Sequence, residues 1–191
     1  MIEMMRKGLK RKFRRLARRA SPRRFARNQR GAAAVEFGLI LLPFLALMFG
    51  IMETALVFFA DQTLETAVAD SARLIMTGQA QTQSLTAATF KNAVCARIYG
   101  LFDCANGVYV NVQTYSSFGG ISYTPPLDSH NNLVTSNFVY QPGGPGDIVV
   151  VQLFYQWPIY VSLLNLGNLS NMSGNKRLLV ATAAFRNEPY N

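Results

Sequence analysis

The sequence predicts an α+β fold: a long N-terminal helix followed by a small antiparallel-sheet domain with one further helix. Three observations carry that prediction. An apolar stretch of membrane-spanning length occupies residues 32–60. A helical periodicity continues beyond it, and three β-rich runs follow in the C-terminal half. The implied organisation is a basic leader over 1–31, a membrane helix with an extracytoplasmic extension over 32–78, and an extracytoplasmic α+β domain over 79–191.

Residues 37–52 carry no charge, and Leu, Phe and Met recur around every face of the helix they would form. That distribution suits lipid better than the one-sided stripe of a surface helix. Past Phe59, apolar or small residues recur at Leu64, Ala67, Val68, Ser71, Leu74 and Ile75, with Asp61, Glu65 and Arg73 off that stripe. The spacing is that of one helical face. Gly78 supplies a stop signal. A helix from 32 to 77 would be about 70 Å long at 1.5 Å per residue, and Pro43 would kink it.

Residues 84–99, SLTAATFKNAVCARIY, read as the second helix, with Thr82 or Ser84 as its cap. The run GVYVNVQTY alternates Val108, Val110 and Val112 with Tyr109, Asn111 and Gln113. The run DIVVVQLFYQWPIY is β-branched and aromatic, and residues 178–185, LLVATAAF, suit a closing strand. Residues 116–146 are rich in Gly, Pro, Ser and Asn, so they read as a long loop with a short extended piece near 138–140. The Tyr155, Trp157 and Tyr160 cluster reads as core packing.

The net charge of +9 belongs to a tail rather than to a domain. Residues 1–31 hold 13 Lys and Arg against the single acid Glu3, whereas residues 32–191 hold 6 against 9. A basic run directly before an apolar span follows the positive-inside rule, which outweighs phosphate binding here and argues against a nucleic-acid partner. With Glu53, Asp61 and Glu65 on the other flank, the N-terminus is expected in the cytoplasm and the C-terminal domain outside it. A cleaved secretory signal fits poorly, because the small residues 31–34 precede the apolar run instead of following it. The Arg23–Arg24 pair lacks the context of a twin-arginine signal. Outside the cytoplasm, Cys95 and Cys104 would either form a disulfide or remain free thiols, and an oxidising compartment favours the bridge.

The chain does not read as an enzyme. Its one histidine, His130, lies in the loop region with neither a metal-ligand cluster nor a nucleophile–base set around it. Asp103, Asp128 and Asp147 fall in turn-like sequence, and PGGPG lacks the lysine and the helix of a phosphate loop. Neither a cofactor nor a metal is implied.

One acid does not fit a plain anchor. Glu36 lies at the start of the apolar run, where an ionised acid costs about 2.5–3.5 kcal/mol on insertion scales and usually has a partner or a function. In GAAAVEF, Gly31 follows a basic leader and Glu36 comes five positions later. The pattern resembles the processing site of type IV prepilins, and the Glu36–Phe37 pair resembles that of the Flp/Tad branch. Residues 31–79 and the ending AAFRNEPY resemble TadE-like proteins, the pseudopilins of the Tad pilus system. Residues 81–176 are similar only in strand pattern and cysteine pair.

The resemblance implies a pilin-like subunit of a Tad/Flp pilus or secretion assembly, cleaved between Gly31 and Ala32 by a prepilin peptidase. Glu36 and Phe37 would serve recognition and subunit assembly. It implies sister pilins and pseudopilins, an inner-membrane assembly platform and the lipid bilayer as partners, with single-pass residence in the inner membrane or in the filament. The alternative is an uncleaved, signal-anchored extracytoplasmic binding protein.

Overall fold

The computed structural model describes residues 31–98, 100, 102–160 and 169–190. The expected leader, apart from Gly31, lies outside the described residues. Two compact units divide the chain, Met1–Met48 and Phe49–Asn191.

Helix α1 (Ala32–Met76) opens in the first unit and continues into the second. It is assigned as helix through Pro43, although the ring removes one amide donor from its ladder. In the first unit, Val35, Phe37, Leu39, Ile40, Leu42, Phe44 and Leu47 are all exposed. The α1 window of highest mean hydropathy, 2.2, contains no buried residue, so one helix here is long and apolar enough to cross a membrane.

In the second unit, α1 has a buried stripe at Glu53, Val57, Ala60, Leu64, Ala67, Val68, Ser71, Ala72 and Ile75. The expected stripe is found, with two differences. Leu74 is only partly buried and Ala72 takes its place, and the stripe extends back to an acid, Glu53. The helix ends where Gly78 adopts φ +77°, a conformation that side chains with a Cβ rarely reach. A single helical turn, α2 (Gln79–Thr82), follows.

The second predicted helix is shorter than its apolar pattern suggested: α3 spans Ala87–Cys95. Its cap is Thr86, not Thr82 or Ser84. Thr86 Oγ1 accepts from the Thr89 amide, and Thr89 Oγ1 accepts from the Thr86 amide. This reciprocal box satisfies two donors that Ser84, in a turn with φ 52°, does not reach. Phe90 and Val94 face the core, and Cys95 bonds to Cys104, the first residue of the short turn α4 (Cys104–Gly107).

The three expected strands form: β1 (Val108–Tyr115), β2 (Ile148–Pro158) and β3 (Lys176–Arg186). They make an antiparallel sheet in the order β1-β2-β3, pairing Asn111 with Gln152 and Gln152 with Thr182. Because successive side chains alternate, the sheet has two distinct faces. On one, Val108, Val112, Val149, Val151, Leu153, Leu179 and Ala181 pack with the α1 stripe and α3 as the main core. Tyr155 and Trp157 belong to it, and Phe102 meets the Tyr155 ring edge-on at 4.6 Å. Tyr160 departs from the expected cluster and is 79% exposed.

The other face carries a smaller cluster of Phe154, Met172 and Leu178, with Leu127, Leu133 and Phe138 packed on it from the long loop. The Phe138 ring stacks on Phe154 at 4.9 Å. The extended piece expected near 138–140 is present as a parallel bridge between Val112 and Tyr140, with Val112 N donating to Val139 O and Gln141 N to Val112 O. Asn111 Oδ1 also accepts from the Val139 amide at 3.0 Å, fixing the loop to the β1 edge.

Candidate processing and assembly site

Gly31 is exposed immediately before the first turn of α1, and Ala32, Ala33 and Ala34 begin the helix exposed. The fold does not require glycine at position 31. A Cβ added there meets nothing within 4 Å, and its φ lies outside the left-handed region. Gly38 is similar: it sits inside the helix with open space around it, although glycine costs about 1 kcal/mol against alanine there. Packing within the chain therefore explains neither glycine.

Glu36 is exposed, and no described residue accepts from it, donates to it or pairs with its charge. It stands one helical turn after Ala32, so the two share a face with Cβ atoms about 6 Å apart. In the intact chain Ala32 presents a peptide nitrogen. Hydrolysis of the Gly31–Ala32 bond would leave a carboxylate on Gly31 and a new α-amine on Ala32. That amine would carry a positive charge at neutral pH, with an ordinary pKa of about 7.7–8.0. Phe37 is 65% exposed and adjoins the acid on the same open helix. The structure thus brings Ala32 and Glu36 onto one helical face and leaves Gly31 and Phe37 accessible beside them.

A second acid is placed quite differently. Glu53 is only 5% exposed and begins the buried stripe of α1. Its Oε1 accepts from the backbone amide of Tyr160. In the sequence, Glu53 reads as a charge flanking the span. The signal that could have found it is its spacing, four residues before Val57 and in phase with Ala60 and Leu64.

The ending AAFRNEPY closes the domain. Asn187 Nδ2 donates to Pro142 O and Gly144 O, and Glu188 N donates to Met76 O at the end of α1. The Tyr190 ring lies where a Cβ on Gly78 would come within 2.3 Å. Gln81 Nε2 reaches Pro142 O from the other side at 2.9 Å. The bridge between Cys95 and Cys104 spans a Cα–Cα distance of 5.6 Å and ties α3 to the turn before β1.

His130 stands in a turn organised by Asp128, whose Oδ1 accepts from the amides of His130 and Asn132. Those bonds, led by the one from the Asn132 backbone, hold the Asp128 carboxyl below its usual range. Asp103 caps α4, and Asp147 accepts from Gly144 N, so all three aspartates serve backbone turns.

Residues 31–73 match the family described as TadE-like protein, as the sequence resemblance implied. The match covers the processing-type motif and most of α1, and it points to a component associated with the Tad pilus, a structural rather than enzymatic kind of protein. Comparison with curated proteins finds no match, and comparison with solved structures finds none.

Proposed function

We propose that this chain is a pseudopilin or minor pilin of a Tad/Flp-type pilus or secretion assembly, held in the inner membrane with its N-terminus in the cytoplasm. A prepilin peptidase cleaves it between Gly31 and Ala32. The observation that carries this reading is the arrangement at the head of α1. Gly31 meets no steric demand for glycine, and Glu36 is an exposed acid on the Ala32 face with no partner among the described residues. The TadE-like match over 31–73 supports it.

The physical role of the acid follows from the cut. In a packed bundle of apolar helices, a buried charge without a partner is costly, and removing one member of a buried pair costs about 3–5 kcal/mol. The new Ala32 amine and the Glu36 of a neighbouring subunit would neutralise each other only at one stagger. The small residues Ala32, Ala33, Ala34 and Gly38 would let neighbouring helices approach closely. The basic leader sets orientation and is then discarded. The C-terminal domain contacts sister subunits outside the membrane.

Intact mass of the membrane-extracted protein tests the reading. In cells with an active prepilin peptidase, residues 1–31 should be missing, and Gly31→Arg should restore the full-length mass. A full-length wild-type chain under those conditions would support the uncleaved signal-anchored protein instead. Glu36→Gln should still be cut but should fail to enter filaments.

A further inference from the structure

We propose that the outer face of the sheet carries a binding site for a neutral carbohydrate. Between that face and the long loop lies a groove of about 370 Å³. Its floor is made by Asn111, Gln113 and Gln152 on adjacent strands, and its rim by Tyr115, Tyr123 and Thr124. No charged side chain lines it.

The amides form a polarised chain. Tyr115 OH donates to Gln113 Oε1 at 2.8 Å, Gln113 Nε2 to Asn111 Oδ1 at 3.5 Å, and Asn111 Nδ2 to Gln152 Oε1 at 3.1 Å. Asn111 is 5% exposed and also accepts from the Val139 amide, so its side chain is held in place at the centre of the floor. At one end, Gln152 Nε2 has no acceptor among the described residues, and at the other the Tyr115 oxygen keeps a free lone pair. A groove that offers a donor and an acceptor with no net charge suits hydroxyl groups, which both donate and accept. The Tyr123 ring, 52% exposed at the rim, provides a flat apolar surface for the C–H face of a sugar ring.

Other ligand classes fit less well. A phosphate or acidic sugar would find no cation in the lining. An extended peptide is usually held by main-chain bonds to an open strand edge, and this groove lies on a sheet face where side chains alone point outward. The site does not depend on cleavage at Gly31 or on assembly.

Saturation-transfer NMR on the full chain in lipid nanodiscs tests the proposal. The probes are neutral gluco-, galacto-, manno- and N-acetylglucosamine oligosaccharides at millimolar concentration, with a proline-rich peptide and an oligogalacturonate for comparison. Transfer is expected to at least one neutral sugar. Tyr123→Ala should weaken binding about tenfold, and Gln152→Ala should abolish it. Tyr160→Ala removes an exposed ring outside the groove and should leave binding unchanged. Circular dichroism checks that the variants fold, and Tyr123→Ala decides the matter if Gln152→Ala does not. Transfer to no neutral sugar, equal transfer in Tyr123→Ala and wild type, or transfer only to the peptide or the acidic sugar would overturn the proposal.

Discussion

Glu53 Oε1 accepts a hydrogen bond from the backbone amide of Tyr160 at 2.5 Å, joining positions 107 residues apart. It fastens the start of the buried α1 stripe to the chain just beyond β2. Hydrogen bonds to charged groups contribute about 1.5–3 kcal/mol. Glu53→Ala should therefore destabilise the domain by about 2 kcal/mol in chemical denaturation. Glu53→Gln, which keeps an acceptor oxygen, should lose less. Equal stability of Glu53→Ala and wild type would show that the bond carries no net weight.

The bridge between Cys95 and Cys104 closes a loop with a sequence separation of 9. In the chain-entropy account a loop of that size is worth about 2.5–3 kcal/mol. The Cys95→Ala/Cys104→Ala double variant should lower the denaturant midpoint accordingly, and reductant should shift wild type but not the variant. A midpoint insensitive to both would mean that α3 is held by Phe90 and Val94 alone.

Gly78 and Tyr190 form a second long-range pair. Gly78→Ala meets two penalties: a left-handed φ of +77° and a Cβ within 2.3 Å of the Tyr190 ring. Loss of at least about 1–2 kcal/mol is expected from the backbone alone. In a double-mutant cycle, Tyr190→Ala should recover part of the Gly78→Ala loss, because it removes the collision and leaves the strained backbone. Strict additivity would mean that the ring simply moves aside.

Asp128 makes the turn at 128–132 sensitive to acid. Its carboxyl titrates below the ordinary value of 3.8, held there first by the Asn132 amide. A lowered folded pKa means that the turn's stabilisation is complete above the ordinary carboxyl value and is lost as pH falls through the lowered one. The Asn132 amide should lose its hydrogen-bonded chemical shift as pH falls below the ordinary carboxyl range. Asp128→Ala should show the acid-type shifts at every pH.

Much of this fold is legible in residue periodicity. The three strands appear where β-branched alternation places them, and Gly78 stops α1 because it meets a left-handed requirement. Where the reading of the sequence departs from the structure, a side chain has a second option. Glu53 reads as a flanking charge until its phase with Val57 and Ala60 is noticed. The Thr86 cap was hidden because Thr89 stands where a capping box usually has Glu or Gln. Tyr160 looked like its neighbours Tyr155 and Trp157, but it lies beyond the end of β2 and points to solvent. The groove had no sequence signal, since Asn111, Gln113 and Gln152 look like ordinary solvent-facing strand positions and the loop that roofs them has no period. At the head of α1, Gly31, Ala32 and Glu36 stand out through the motif's resemblance to a prepilin processing site, and the helix places Ala32 and Glu36 on one face.

The placement of β3 sets an order of events for the growing chain. The α1 stripe is synthesised early, but its cover includes Leu179 and Ala181, and the clasp on Met76 is made by Glu188. Until those residues are in place, the half-built domain shows bare valines and an open strand edge, which on the proposed topology face the far side of the membrane. Such surfaces invite aggregation. On the proposed topology the chain needs shelter during export, and a pause late in translocation would be more damaging than one early on.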